Sequence, residues 1–168
     1  MTDERLAEDR LKEDFLKEDC LKEEHRMDDR LDPVRRLLDR EGWQYAEGDK
    51  SLLFTALHGG KKWNMAVSPF GEAGICFFCA YPWKVDSGRE SEVLRKLNKT
   101  NLLLRRGCLM YEPEMEQVVF RCGEQISDVY VCMSQLRETL MTCVAVFAAH
   151  WDGIGRLLQP SSCGPGLH

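Results

Sequence analysis

Eight cysteines, four histidines and two glycine-rich turns are the residues of this 168-residue chain whose chemistry could go beyond packing. Cys76-x-x-Cys79 has the spacing of a redox or metal-binding pair. Such a pair acts as a redox centre at a helix N-terminus, where the dipole lowers a thiol pKa. Here it falls in the apolar run 75–81, which reads as a strand, and residues three apart on a strand point to opposite faces. The two sulfurs therefore neither pair nor share a metal without a bulge. Cys108 and Cys122 flank a hairpin and are expected to approach each other as buried cross-strand thiols, with a disulfide or partial zinc site as the chemical alternative. Zinc would need four ligands, and neither a second close Cys pair nor a His-x-x-x-His motif accompanies them.

The histidines and glycines carry even less. His58-Gly59-Gly60 is like an oxyanion loop, but it lacks the G-x-S-x-G nucleophile elbow that such loops serve, so it reads as a hairpin turn. Gly59-Gly60-Lys61-Lys62 and Gly71-Glu72-Ala73-Gly74 do not match a phosphate-binding loop, which needs a longer glycine frame ending in Lys-Ser/Thr. His150-Trp151-Asp152 holds an acid and a base, but neighbouring residues diverge by about 100° around a helix and do not form a dyad. The expectation is a protein with no catalytic residues, no metal site and no cofactor. The alternative is a thiol-dependent redox or metal-binding enzyme using Cys76, Cys79, Cys108 and Cys122.

These residues sit in a clear order of elements. Asp32-Pro33 suits a helix start, with Val34, Leu37 and Leu38 on one face and Gly42 as the stop. Residues 43–47, 51–58 and 62–67 read as three antiparallel strands around the Gly48-Asp49 and Gly59-Gly60 turns, with Trp63, Met65 and Val67 on one face. Residues 75–81 are apolar on both faces, which places that strand centrally or beneath a cover on each side. Ser87-Gly88-Arg89-Glu90 has capping-box spacing before a helix running to about Asn101, with Val93, Leu94 and Leu97. Asn98 and Asn101 suit the helix end through C-cap conformation and local backbone bonds. A hairpin follows from Gly107 to Cys122, turning at Glu112-Pro113-Glu114. From about Ser127 a long helix carries Val129, Met133, Leu136, Leu140, Cys143 and Phe147 at spacings of three and four. Gly153 and Gly155 are expected to weaken it beyond Trp151. That heptad-like stripe fits its own sheet or a second chain equally well.

The first thirty residues repeat every five, as RLAED, RLKED, FLKED and CLKEE. Leu6, Leu11, Leu16 and Leu21 fall about 140° apart on a helix, which excludes one buried stripe. Glu8–Lys12, Glu13–Lys17 and Glu18–Lys22 are favourable i, i+4 pairs. The segment reads as a solvated helical arm or a disordered extension. It holds 12 acids and 7 bases, while the remaining 16 acids and 16 bases cancel, so the whole formal charge of -5 resides there. Residues 31–158 form one α+β domain and 159–168 a disordered tail. The neutral body argues against nucleic acid, the longest apolar run is too short to span a membrane, and the charged N-terminus lacks a signal-peptide core. A cytoplasmic protein with reduced, buried cysteines is expected.

The order short helix, antiparallel strands, helix, hairpin and long helix, with Leu97-Asn98-Lys99-Thr100-Asn101 before Gly107 and Val118-Val119-Phe120-Arg121 after it, resembles the YbjN family. Its members are candidate regulators of sensory transduction in bacteria. The resemblance covers roughly Asp32 to Leu158. It implies an α+β fold in the order α-β-β-β-β-α-β-β-α, similar to that of type III secretion chaperones, and it brings no enzymatic residues. A bacterial, homodimeric binding or regulatory module is implied. Trp43, Tyr45, Trp63, Tyr81 and Trp83 are many aromatics for half a domain, and a sheet apolar on both faces leaves one for a partner. Trp63, Phe78 and Trp83 are the expected partner-binding residues, contacting a polypeptide through an apolar sheet face or edge. The arm itself could tether the protein in a larger assembly.

Overall fold

The computed structural model describes residues 30–126 and 133–159. Apart from Arg30 and Gln159, the expected arm and tail lie outside the described residues, as does the expected helix start near Ser127 with Val129. The elements are α1 (Asp32–Arg40), β1 (Tyr45–Gly48), β2 (Ser51–His58), β3 (Lys61–Phe70), β4 (Gly74–Lys84), α2 (Glu90–Asn101), β5 (Cys108–Glu112), β6 (Gln117–Gln125) and α3 (Met133–Leu158). All six strands join one antiparallel sheet in the order β1-β2-β3-β4-β6-β5. The α+β order read from the sequence is the observed one, and β4, apolar on both faces, is central.

Strand alternation divides the sheet into two faces. Leu52, Phe54, Ala56, Trp63, Met65, Val67, Ile75, Phe77, Cys79, Tyr81, Leu109, Val118, Phe120 and Cys122 lie on the face that joins the contiguous apolar core. Buried residues of the three described helices enter that same core: Leu37 and Leu38 of α1, Val93 and Leu97 of α2, Leu136, Leu140 and Phe147 of α3. The heptad-like stripe of α3 is thus satisfied by its own sheet. Phe147 stacks on Tyr81 with ring centroids 3.9 Å apart, and the Tyr81 hydroxyl donates to the Phe147 carbonyl at 3.2 Å.

Several local readings change. The α1 start comes one residue earlier, with Leu31 in the cap position and Asp32 already helical, where its carboxylate accepts from Arg35 at 2.6 Å. Arg35 also binds Glu47, tying α1 to β1. The Ser87–Glu90 capping box does not form: Arg89 occupies the cap position of α2 without a side-chain cap. Its guanidinium instead donates to the Leu157 carbonyl at 2.7 Å, joining α2 to the end of α3. Asn101 is not a left-handed cap. Its amide group spans to Leu109, accepting from the backbone N–H at 2.8 Å and donating to the carbonyl at 2.9 Å, which fixes where β5 begins. Gly153 and Gly155 do not end α3, which continues to Leu158. Gly155 is a packing residue, since a Cβ there would lie 3.0 Å from the Trp83 ring.

Candidate functional site

The second face of the sheet is built from the alternate residues of the same strands. Leu53 pairs with Ala66, Ala66 with Phe78, Phe78 with Arg121, and Arg121 with Cys108, giving one row across five strands. Beside it lies the row Ala80, Val119, Met110, and beyond Phe78 the row Ser68, Cys76, Gly123. None of these residues belongs to the core, and no described helix packs over them. Leu53, Leu57 and Phe70 on this face are 48%, 73% and 59% exposed, while Cys76 and Val119 are buried. Exposed Leu53, Leu57 and Phe70 at the margin and half-buried Ala66, Phe78 and Ala80 between them give this pleated surface the relief of a shallow trough.

Arg121 stands in that trough, half-buried and without an ion pair or side-chain hydrogen bond among the described residues. A guanidinium so placed offers five donors to a carboxylate or to backbone carbonyls. Next to it, burial pushes the Cys76 thiol up to about 11, with Arg121 drawing it down only in part. Cys76 is therefore a neutral, unreactive thiol near neutral pH.

The expected site residues are divided between the two faces. Phe78 lies in the open trough. Trp63, 4% exposed, is on the core face, where its ring meets Phe147 at 5.0 Å and Trp151 at 6.0 Å, so it belongs to the core and does not reach an outside partner. Trp83 is half-buried against Trp151 and Tyr81, also on the core side. The signal for the open face was not aromatic surplus but the alternate small and apolar residues Leu53, Ala66, Phe78 and Ala80, whose shared row depends on strand register.

The five described cysteines are divided between the two faces of the sheet and the core. Cys76 and Cys79 face opposite sides, as the strand spacing requires. Cys79 is fully buried beside the Trp63 indole, and burial pushes its thiol up to about 12. The expected approach of Cys108 to Cys122 is overturned: Cys108 pairs in register with Arg121, so its side chain is on the open face while that of Cys122 is in the core. The partner of Cys122 is Cys143 of α3. Cys143, donating to the Cys122 sulfur and completely buried, is pushed far above the ordinary thiol value. With Cys122 2% exposed, the pair has no access to a substrate. Beside it, the Glu124 carboxylate accepts from Arg106, Thr139 and Gln135, a polar clamp between β6 and α3.

Asp152 is engaged by Lys61 at 3.0 Å, and Trp151 is in the aromatic cluster, so the His150–Asp152 segment is structural. His58-Gly59-Gly60 forms the β2–β3 hairpin turn, with both glycines at positive φ. Among the described residues no three His, Cys, Asp or Glu side chains converge on a metal position, and no helix is long and apolar enough to cross a membrane.

The strand order and the described helices packed on one side define an α+β protein whose second sheet face carries no described helix. This is the fold of YbjN of E. coli, a candidate transcription regulator, to which the chain is similar with a TM-score of 0.58 at 16% identity, over 77% of this chain and 96% of that one. No family model matches the sequence, and no curated protein matches it.

Proposed function

We propose that the protein is a non-enzymatic regulatory module that binds a polypeptide segment in the open trough of its sheet. The observation that carries this reading is the row Leu53–Ala66–Phe78–Arg121–Cys108, which puts apolar surface and one uncompensated cation on a face without a described helix. Apolar side chains of the ligand fill the trough, and an acidic side chain or carbonyl meets Arg121. The edges are poorer sites: β1 has four residues and β5 five, too short to template a long added strand. The regulatory part of the proposal is supported by the likeness to YbjN, and burial of Cys76, Cys79, Cys122 and Cys143 favours binding over thiol chemistry at these residues.

The test is a display selection of random peptides on the full chain, followed by anisotropy titration of a selected peptide. Phe78→Asp and Arg121→Glu are expected to weaken binding by about tenfold or more, equivalent to about 1.4 kcal/mol. The control Met141→Asp, on the outer side of α3, should leave it unchanged. Selected peptides that bind both trough variants as tightly as the parent would sink the proposal. A homodimer using the same trough is the related expectation. Light scattering of the parent and of Phe78→Asp measures it directly, with a dimer that dissociates in the variant as the supporting result.

A further inference from the structure

The cations of the folded body are unevenly partnered. Arg35, Lys61, Lys84, Arg89, Arg106 and Arg137 each hold an acid. By contrast, residues 93–111 contain five cations and no acid. Of these, only Arg106 has an ion pair among the described residues; Arg95, Lys96, Lys99 and Arg105 are exposed and have none. Between them protrude Leu102 and Leu103, 85% and 82% exposed, with Leu94 at 44% on the outer side of the same helix. The helix dipole accounts for cations in the last turn of α2. It does not account for Arg105, which follows the helix, or for two adjacent leucines held out in water.

The complementary charge is in the same chain. Residues 1–29 carry 12 acids and 6 bases, arranged in repeats that each combine a leucine with a pair of acids. They join the fold beside the basic surface. Arg30 donates to the carbonyls of Gly71 and Glu72 in the β3–β4 turn. Ile126 bonds the Ala73 carbonyl in that turn, and Glu124, two residues earlier, holds Arg106 of the α2–β5 loop. The entry point and the basic loop therefore occupy one end of the sheet, separated by the step from β4 across β6 to β5, about 10 Å. Even at a helical rise of about 1.5 Å per residue, 29 residues extend about 43 Å, enough to cross that gap and run the about 18 Å of α2.

We infer that the acidic N-terminal repeat docks within its own chain on the outer side of α2 and the loop after it, its acids facing Arg95, Lys96, Lys99 and Arg105 and its leucines facing Leu94, Leu102 and Leu103. This inference is independent of the trough as a binding site. The trough side offers the arm Arg121 and Lys62, set apart on different strands, whereas this surface gathers four cations, which decides between them for a segment with 12 acids.

The experiment is carbodiimide coupling of carboxylates to lysines in the full chain, using an equal mixture of unlabelled and 15N-labelled protein, read by mass spectrometry. Arm acids are expected to couple to Lys96 and Lys99 about tenfold more than to the exposed controls Lys50 and Lys62, within chains of one label. The preference should vanish in 1 M salt, where screening reaches about 3 Å. It should fall about tenfold in the double variant Arg95→Glu/Arg105→Glu, which keeps both reporter lysines. Circular dichroism checks that this surface variant remains folded. Equal coupling to all lysines, coupling centred on Lys62 of the trough side, or pairs of mixed label at the random proportion would each overturn the intramolecular contact.

Discussion

The two faces of the sheet come from the same six strands, yet they differ in what holds them. On one, Phe77, Tyr81, Phe120 and Phe147 are fully buried and the three described helices close over the strands. On the other, Leu53, Leu57 and Phe70 remain in contact with water and Arg121 has no counter-ion among the described residues. Burial at about 25 cal/mol per Å² of apolar surface makes the covered face the source of stability. The open face buries less apolar area and so adds less to folding. A sheet with one covered and one uncovered side separates the residues that make the fold from those proposed to bind a partner.

Substitutions on the covered side should cost most. Phe147→Ala removes the ring stacked on Tyr81 and Trp63, and urea denaturation is expected to show a loss of about 3–5 kcal/mol. Gly107→Ala tests the entrance to β5: its backbone has φ 74°, and a Cβ would collide with the Phe120 ring and sit 2.7 Å from the Arg121 carbonyl. A loss of about 2 kcal/mol follows from strain and overpacking. Asn101→Ala, leaving the buried Leu109 N–H and carbonyl unmatched, should cost about 1.5 kcal/mol by the same measurement, and Asn101→Asp should restore only the bond to the N–H.

Alkaline pH sharpens the contrast further. Cys79 rises from 9.0 to about 12 on the covered side, so the folded state holds its proton where the unfolded chain releases it. The stabilisation is complete below pH 9 and declines as pH rises toward the folded value, a loss of about 1.4 kcal/mol at pH 10 from this group alone. Melting temperature followed from pH 7 to 10.5 should be level and then fall, and Cys79→Ala should flatten the fall. The smallest effect on stability belongs to the open side. Phe78→Asp should change unfolding free energy by less than about 1 kcal/mol, since it empties no packed core position and places a carboxylate opposite Arg121. A loss as large as that of Phe147→Ala would erase the distinction between the faces.

Much of this architecture was legible in the residues. The Gly59-Gly60 turn, the alternation of Trp63, Met65 and Val67, and the three-and-four spacing from Met133 to Phe147 fix strands and helix through local geometry alone. The central place of β4 followed from its two apolar faces. What was hidden depends on register and on tertiary contact. Whether Cys122 meets Cys108 or Cys143 is decided by which face each strand residue takes, and one step of register reverses the answer. Trp63 and Phe78 look alike as large aromatics in strands, but only pairing with α3 shows that one is core and the other is not. Asn101 has a backbone target eight residues beyond the end of its helix, and Gly155 has a tryptophan ring from β4, neither of which a helix-end rule contains.

The division of labour between the two faces is tested most directly by backbone and methyl NMR of the full chain titrated with a selected peptide. Shift changes are expected to centre on Leu53, Ala66, Phe78, Val119 and Arg121, with the Leu140 and Phe147 region of the core unmoved. Changes centred instead on the β1 or β5 edge, or on the small groove between His58 and Ala149, would contradict it.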